Sequence, residues 1–269
     1  MILLAESPAL FDPFAKGSLT VLALLGLRLS GLVMIAPVFS AQPIPNHLKA
    51  GLIILFSILL HPAARASIVT MPQLNMATAF SETLVGFAIG LGAALLVGAA
   101  DAAGELMAIQ VGLSGAAILD PMTNQQGPAL GQFANFFAVA IMLALDAHIV
   151  MIDAVATSTR IMPVGGVLDL ANGARAMVGT GAQLFVVGLR FAAPVMAVVL
   201  IANVALAILS RAAPQLNILS VAFPIQIGVG LVAFAATIPV IGIFFNGWTT
   251  FYQGVLTHSL GALSGAGVR

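Results

Sequence analysis

The stretch Ser210-Arg-Ala-Ala-Pro-Gln-Leu-Asn217 decides the fold, because it places polar residues between two long apolar runs. The runs cover residues 184–209 and 218–245. Each has the roughly 20 residues that a helix needs to cross a hydrocarbon layer about 30 Å thick. Pro214 has no N–H to donate and biases the residue before it away from helical geometry. The stretch therefore predicts a polar elbow that joins two hydrophobic helices.

Composition sets the class of protein. Of the 269 residues, 61% are hydrophobic and only 7% are charged, whereas soluble domains have about 45–50% apolar and about 25% charged residues. The formal net charge is zero, and the basic residues are scattered, which argues against nucleic acid as a partner. The chain has no cysteine, which excludes disulfides and thiol catalysis. We expect an all-α membrane or membrane-complex protein.

The apolar residues fall into six regions along the chain. These are residues 18–36, 50–60, 77–100 with a continuation towards Ile109, 129–155, and the two runs beside the elbow. Residues 50–60 are too few to cross a bilayer directly, so this region suggests half of a kinked or broken helix. The polar, glycine-containing stretch 153–183 is the best candidate for an internal boundary. It divides residues 1–175 from residues 176–269.

Ionisable residues within or at the ends of the apolar runs are costly and usually face protein or water. They are Arg28, Glu82, Asp101, Glu105, Asp146, Asp153 and Arg190. Two interpretations stay open: a proton or cation pathway, or salt bridges that involve Arg28 and Arg190 together with wetted helix ends. We favour the second, because ion pairing is the usual fate of such groups.

Catalysis and metal binding have weak support. Gly112-Leu-Ser114-Gly115 matches the G-x-S-G pattern of rhomboid proteases, with His148 as a conceivable base. A pattern this short arises by chance in a chain with 27 glycines. The four histidines are far apart in sequence, and no cysteine accompanies them. We therefore expect no enzyme activity, no metal and no cofactor.

Several motifs resemble those of one family. The stretch from Asn203 to Asn217, followed by Phe223-Pro224 and Gly228-x-Gly230, closely resembles the C-terminal signature of the FliR/SctT family. Members are export-gate membrane proteins of flagellar and virulence type III secretion systems. Weaker similarities occur at Gly188-Leu-Arg-Phe-Ala-Ala-Pro194, Arg28-Leu-Ser-Gly31, Gly104-Glu105 and Asp120-Pro121.

The resemblance implies a fold and a set of partners. It implies long bent helices and helical hairpins, with a P-like part over residues 1–175 and a Q-like two-helix hairpin over residues 176–269. The partners implied are FliP-like and FliQ-like subunits, an FlhB-like switch subunit, exported unfolded proteins and inner-membrane lipid. The location implied is the bacterial inner membrane, within the basal body or secretion apparatus and partly raised towards the periplasm.

The resemblance also implies three groups of site residues. A loop over residues 112–126 would plug the closed pore, with Gly112, Leu113, Ser114, Gly115, Ile118, Leu119, Asp120, Pro121 and Met122. The elbow would face the cytoplasm near the pore entrance and contact the switch subunit through Arg211, Pro214, Gln215 and Asn217. Inter-helix or inter-subunit polar contacts would come from Arg28, Glu82, Asp101, Glu105, Arg190 and Asn203.

The resulting prediction is a structural and gating subunit of a type III export channel, with the flagellar branch favoured. The alternative is a small proton-coupled secondary transporter. In that case broken helices near residues 43–45 and 120–121 would frame a site at the bilayer midplane. Glu82, Asp101 and Asp146 would then couple transport to protons.

Overall fold

The computed structural model describes residues 17–40, 44–68, 70–113, 129–215 and 218–265. Within these ranges all regular secondary structure is helical, which confirms the all-α prediction. The helices are α1 (Ser18–Ile35), α2 (Pro37–Ser40), α3 (Asn46–Ser67), α4 (Met76–Val111), α5 (Ala129–Ala144), α6 (Ala147–Ile161), α7 (Leu170–Ala212), α8 (Ile218–Asn246) and α9 (Trp248–Leu263).

Five of the described helices are long and apolar enough to cross a membrane. They are α1, α3, α4, α7 and the Ser220–Pro239 part of α8. The pair α5 and α6 is bent by 68° and adds a sixth if it counts as one broken span. Length and composition therefore identify a membrane protein.

Helix α3 corrects the expectation that the second apolar region is half of a kinked or broken helix, because the region belongs to one longer helix. It is one helix of 22 residues, Asn46–Ser67, with Pro62 inside it. The apolar run of residues 50–60 is shorter than the helix, because polar and small residues at both ends continue the helix. Pro62 follows a full four turns of helix, where the loss of one backbone hydrogen bond does not end it.

The fourth apolar region is two helices, because the chain turns at Asp146. This residue has φ 55° and lies between α5 and α6. Aspartate is one of the few residues that tolerate the left-handed conformation, since its short side chain can hydrogen-bond locally. The bend here is the 68° angle between the two helices.

Helix α7 begins earlier than the apolar pattern predicts. It starts at Leu170 and runs for 43 residues, so the predicted linker over residues 153–183 shrinks to residues 162–169 between α6 and α7. Asp169 caps the helix: its carboxylate accepts a hydrogen bond from the backbone N–H of Asn172 at 3.1 Å. This bond and a second one from the Asn172 side chain lower the pKa of Asp169.

The described residues divide into two compact units. Those of unit 1 fall within Met1–Ala94, Met142–Gly181 and Thr249–Arg269, and those of unit 2 within Leu95–Ile141 and Ala182–Trp248. Both units draw on both sides of the boundary predicted at 175/176. The predicted boundary separates a part that resembles P-type subunits from a part that resembles Q-type subunits. It does not describe how the helices pack, so it stays a prediction.

The core of unit 1 is built on α1. Leu24, Leu25, Leu29 and Leu32 on this helix are fully buried. Helix α1 packs against α3, and α3 packs against α6. The buried side of α3 is narrow and consists of Ser57, His61 and Ala64 at helical spacing. Most of the remaining α3 surface is exposed and apolar.

Two aromatic pairs join helices of unit 2, in which Phe191, Phe234 and Phe245 are buried and Phe133 is exposed. The rings of Phe133 and Phe234 meet edge to face with centroids 5.8 Å apart, and those of Phe191 and Phe245 stack at 6.4 Å. Both distances lie in the range that favours aromatic contact. These pairs join α5 to α8 and α7 to α8.

Candidate functional site

A buried polar cluster lies at the centre of unit 1. We call it the Arg28 cluster. Arg28 of α1 is fully buried and forms an ion pair with Glu82 of α4, whose side chain is 1% exposed. The guanidinium Nε donates to Glu82 Oε2 at 2.6 Å and Nη2 donates to Oε1 at 3.1 Å. This is the two-bond geometry in which arginine binds a carboxylate most strongly.

The remaining polar atoms of the Arg28 cluster also have partners. Arg28 Nη1 donates to Ser158 Oγ at 2.9 Å, and Nη2 donates to the carbonyl of Met162 at 3.1 Å. Glu82 Oε1 accepts a further bond from the Gly165 N–H at 2.7 Å. The cluster therefore joins α1, α4, α6 and the turn after α6. Within the described ranges Arg28–Glu82 is the one ion pair.

Two glycines bring the backbones of α1 and α4 together beside this cluster. A methyl group on Gly31 would overlap the Thr83 carbonyl oxygen, and one on Gly86 would overlap the Arg28 carbonyl oxygen. Small residues allow such close approach between membrane helices. We call this contact the α1–α4 seam. It fixes the distance across which Arg28 and Glu82 meet.

Tyr252 on α9 attaches a further helix to α4. Its hydroxyl donates to the carbonyl of Ile89 at 3.1 Å, and its ring lies over Gly92. Burial raises the pKa of the Tyr252 phenol far above its usual value. The hydroxyl therefore keeps its proton and can donate this bond.

The first two residues of the predicted plug end helix α4. The N–H of Gly112 bonds to the carbonyl of Ile109 at 3.2 Å, and that of Leu113 bonds to the carbonyl of Ala108 at 3.0 Å. With Gly112 at φ 84°, this is a Schellman motif, which ends a helix and redirects the chain. The other predicted plug residues, from Ser114 to Met122, lie outside the described residues.

The end of α4 rests on α8. A methyl group on Gly230 would overlap the Val111 side chain, so Val111 fills the space that this glycine leaves. A side chain on Gly112 would meet the Phe223 ring at 3.5 Å and Gln226 Oε1 at 3.7 Å. The Gln226 amide in turn donates to Asn203 Oδ1 of α7. These contacts seat the start of the 112–126 segment on the α7–α8 hairpin.

The elbow residues lie at the surface. Helix α7 ends at Ala212, two residues before Pro214, and α8 begins at Ile218. Arg211, Pro214 and Gln215 are exposed. Asn217 lies outside the described residues. This arrangement is a short polar turn between two apolar helices.

The other predicted polar residues are not joined to the Arg28 cluster. Asp101 is half-buried and Glu105 is exposed, one turn apart on α4 beside Gly131 of α5. A methyl group on Gly104 would lie 2.7 Å from the Gly131 Cα, so the two backbones are close here. Arg190 is exposed on α7 and has no ion pair among the described residues.

Sequence reasoning missed four polar partners. Ser158, the Met162 carbonyl and the Gly165 N–H complete the Arg28 cluster, and Gln226 pairs with Asn203. The partners of the Arg28 cluster gave no signal, since each lies more than seventy residues from either charge. Gln226 gave a weak sequence signal, because it is an amide within the apolar run of α8.

The features of a protease or a metal site are not assembled in the described residues. Ser114 lies outside them, and His148 Nδ1 is buried without a hydrogen-bond partner among them. No group of three or more histidine, aspartate or glutamate side chains there could hold a metal ion.

These observations define a class: an all-α membrane protein in which a buried ion pair and close glycine contacts join the described helices. The family model for bacterial export proteins, family 1, matches residues 19–251. The chain therefore belongs to that family, which confirms the resemblance noted in the sequence.

Curated relatives of the chain are named for flagellar biosynthesis. The chain is 32% identical over 218 residues to the flagellar biosynthetic protein FliR of Pectobacterium carotovorum, which covers 80% of this chain and 83% of the relative. The FliR of Escherichia coli K12 is 30% identical, with 81% and 84% covered. The FliR of Bacillus subtilis 168 is 29% identical, with 80% and 85% covered. The chain is a membrane component of a flagellar protein export apparatus.

Proposed function

We propose that this chain is a structural and gating subunit of the flagellar type III export channel. It assembles with P-type (FliP-like) and Q-type (FliQ-like) subunits, and unfolded substrates pass through the assembly. The observation that carries the proposal is the family match over residues 19–251 together with relatives named for flagellar biosynthesis. The P-like part over residues 1–175 and the Q-like hairpin over residues 176–269 belong to the same proposal.

The gating part of the proposal places the plug at residues 112–126. The Schellman motif at Gly112 supports it, because it redirects the chain at the point where the segment begins. The contacts of Val111 and Gly112 with α8 give the segment a fixed base. The apolar residues Leu113, Ile118, Leu119 and Met122 would then exclude water and ions from the pore.

The elbow and the remaining charges are the proposed partner contacts. Exposed Arg211, Pro214 and Gln215 form a polar surface suited to an FlhB-like switch subunit at the cytoplasmic side. Asp101 and Glu105 are carboxylates without an ion pair among the described residues, and we place them at contacts with P-type subunits. The assembly lies in the bacterial inner membrane and is partly raised towards the periplasm.

The transporter alternative would couple transport to protons through Glu82, Asp101 and Asp146. Glu82 does not suit that role, because Arg28 and Gly165 engage both oxygens of its carboxylate. A non-enzymatic channel role uses the same ion pair only to hold helices together. The proposal needs no cofactor.

Removal of the gene tests the function directly. The proposal predicts that the deletion strain secretes no filament protein and does not swim, and that a plasmid copy restores both. Normal secretion by the deletion strain would overturn it. Uptake of a solute by liposomes that contain this chain alone would support the transporter instead.

A deletion of residues 113–125 tests the plug. When the complete gate is co-expressed, we expect the deletion to make membranes leaky to ions while the assembly still forms. Unchanged ion permeability in a correctly assembled complex would remove the plug assignment. Ser114→Ala is the matched control, and we expect it to retain function. Its complete loss of function would revive the protease interpretation.

A further inference from the structure

All charged side chains of the C-terminal region are positive. Residues 170–269 contain four arginines and no lysine, aspartate or glutamate. Such a region cannot neutralise its own cations with side-chain carboxylates. Arg175 lies near Asp169, just before this region, and donates to Asn172 Oδ1 at 3.2 Å, whereas Arg190 and Arg211 have no ion pair among the described residues.

Two of these arginines bracket an apolar surface on α7. Arg190 and Arg211 are both exposed, and helix rise places them roughly 31 Å apart along the axis. That separation matches a hydrocarbon layer about 30 Å thick. Between them Leu200, Ile201 and Val204 are 64%, 70% and 54% exposed. The stretch of α7 between the arginines thus has the length and surface of a membrane-embedded segment.

An apolar groove runs beside this segment. It has a volume of about 550 Å³ and is lined by apolar side chains and glycine, with Val198 on α7 and Pro224, Gly228, Val232 and Ala236 on α8. Pro224 and Ala236 are roughly 18 Å apart along α8. This is close to the ~15 Å that one leaflet contributes to the hydrocarbon layer.

Arg190 lies just beyond one end of the groove. The Asn203–Gln226 contact aligns α7 with α8, and both helices run away from the elbow. Counted from that contact, Arg190 is thirteen residues along α7 and Ala236 is ten residues along α8. By helix rise alone, the backbone of Arg190 lies roughly 5 Å further from this contact than that of Ala236. It is also eight residues from Val198, a spacing that keeps two residues on one stripe of a helix.

We propose that this groove binds an anionic phospholipid, with its phosphate at Arg190 and one acyl chain along α8. A guanidinium matches the oxygens of a phosphate in geometry and charge. The sequence placed Arg190 among inter-helix or inter-subunit polar contacts. A partner's carboxylate would account for the arginine but not for an apolar groove one leaflet long. The inference rests on the membrane character of the chain and not on the proposed export function.

Native mass spectrometry of the purified full chain tests the proposal. The protein is exchanged into nanodiscs of phosphatidylcholine and phosphatidylglycerol, and the phosphatidylglycerol retained after release is counted. Loss of one charge-assisted contact in Arg190→Gln should lower retention about tenfold. Arg190→Lys should keep part of it. Arg175→Gln, another exposed arginine of α7, should leave retention unchanged.

A second variant fills the groove without touching the charge. A Cβ atom at Gly228 or at Gly242 would face open space, with no neighbouring side chain or other helix within 4 Å, so both positions of α8 are suited to a larger residue. Gly228→Leu should displace the acyl chain and lower retention severalfold. Gly242→Leu, outside the groove, should not.

Equal retention by the wild type, Arg190→Gln and Gly228→Leu would overturn the lipid site. So would an Arg190→Gln variant that keeps its lipid but loses its partner subunits, because that result assigns the arginine to a partner's carboxylate. Normal secretion and swimming by the deletion strain would count against the export function and not against this site, because lipid retention is measured on the purified chain.

Discussion

The Arg28 cluster and the α7–α8 hairpin differ in where their arginines find partners. In the cluster, a buried arginine has every contact supplied by the same chain, from Glu82, Ser158 and the Met162 carbonyl. In the hairpin, Arg190 and Arg211 are exposed at the two ends of an apolar surface. The first arrangement is complete within unit 1. The second needs lipid or neighbouring subunits.

This difference separates the charges that hold the fold from those that face other molecules. A buried ion pair is costly to break, because the remaining charge is left without a partner in a low-dielectric interior. An exposed charge is cheap to remove from the isolated chain. Substitutions in the cluster should therefore lower stability, whereas those in the hairpin should change what the protein binds.

The largest effect is expected from Glu82→Gln. It leaves the Arg28 charge uncompensated, at a cost of about 3–5 kcal/mol. The measurement is thermal unfolding in detergent, with exposed Arg160→Gln as the control for loss of a charge. Replacing both partners, as in Arg28→Met with Glu82→Leu, should recover much of the loss. A double variant as unstable as Glu82→Gln would show that the ion pair is not the cause.

The next effect is expected at the α1–α4 seam. Gly86→Ala forces a methyl group against the Arg28 carbonyl oxygen, and overpacking of this kind costs about 1–3 kcal/mol. Gly51→Ala on α3 meets no atom within 4 Å and should gain about 0.5–1 kcal/mol from helix propensity. Unfolding midpoints that move equally for the two variants would contradict the close contact.

A smaller effect is expected where α8 meets the end of α4. Gly230→Ala overlaps the Val111 side chain, which can shift more than a backbone can, so the expected loss is about 1 kcal/mol. Gly228→Ala, two residues away, has open space and should be neutral or slightly stabilising. Val111→Ala should rescue Gly230→Ala. A failed rescue in the same unfolding measurement would locate the cost elsewhere.

The smallest effect is expected from Tyr252→Phe. It removes one buried hydrogen bond to the Ile89 carbonyl, which contributes about 1 kcal/mol. The carbonyl belongs to helix α4 and keeps its place in the backbone ladder. Loss of the ring in Tyr252→Leu should cost more. Equal unfolding midpoints for wild type and Tyr252→Phe would show that only the packing on Gly92 matters.

The sequence predicted the apolar helices and the elbow, because hydrophobic runs and Pro214 are local signals. It placed the start of α7 fourteen residues too late. Asn172, Gly173 and Gly179 are typical of a linker, yet Gly173 packs directly on Leu263 of α9 and Asp169 caps the helix. A tertiary contact of this kind has no local sequence pattern.

The candidate site was predicted in part for the same reason. Arg28 and Glu82 were recognisable as charges inside apolar runs, but 54 residues separate them, and spacing alone could not select Glu82 over the other carboxylates. The Gly31–Gly86 approach likewise depends on which helices become neighbours. The plug residues from Ser114 to Met122 came from family resemblance and stay a prediction.

The most direct test of the central claim is co-purification followed by hydrogen exchange. A tagged copy of the chain, co-expressed with the P-type and Q-type subunits of its own organism, should bring both subunits through purification in one complex. Amides of the Arg28 cluster should be protected in the isolated chain and in the complex, whereas the elbow at Arg211 should gain protection only in the complex. A chain that purifies alone, with equal exchange at the elbow in the presence and absence of those subunits, would contradict the account.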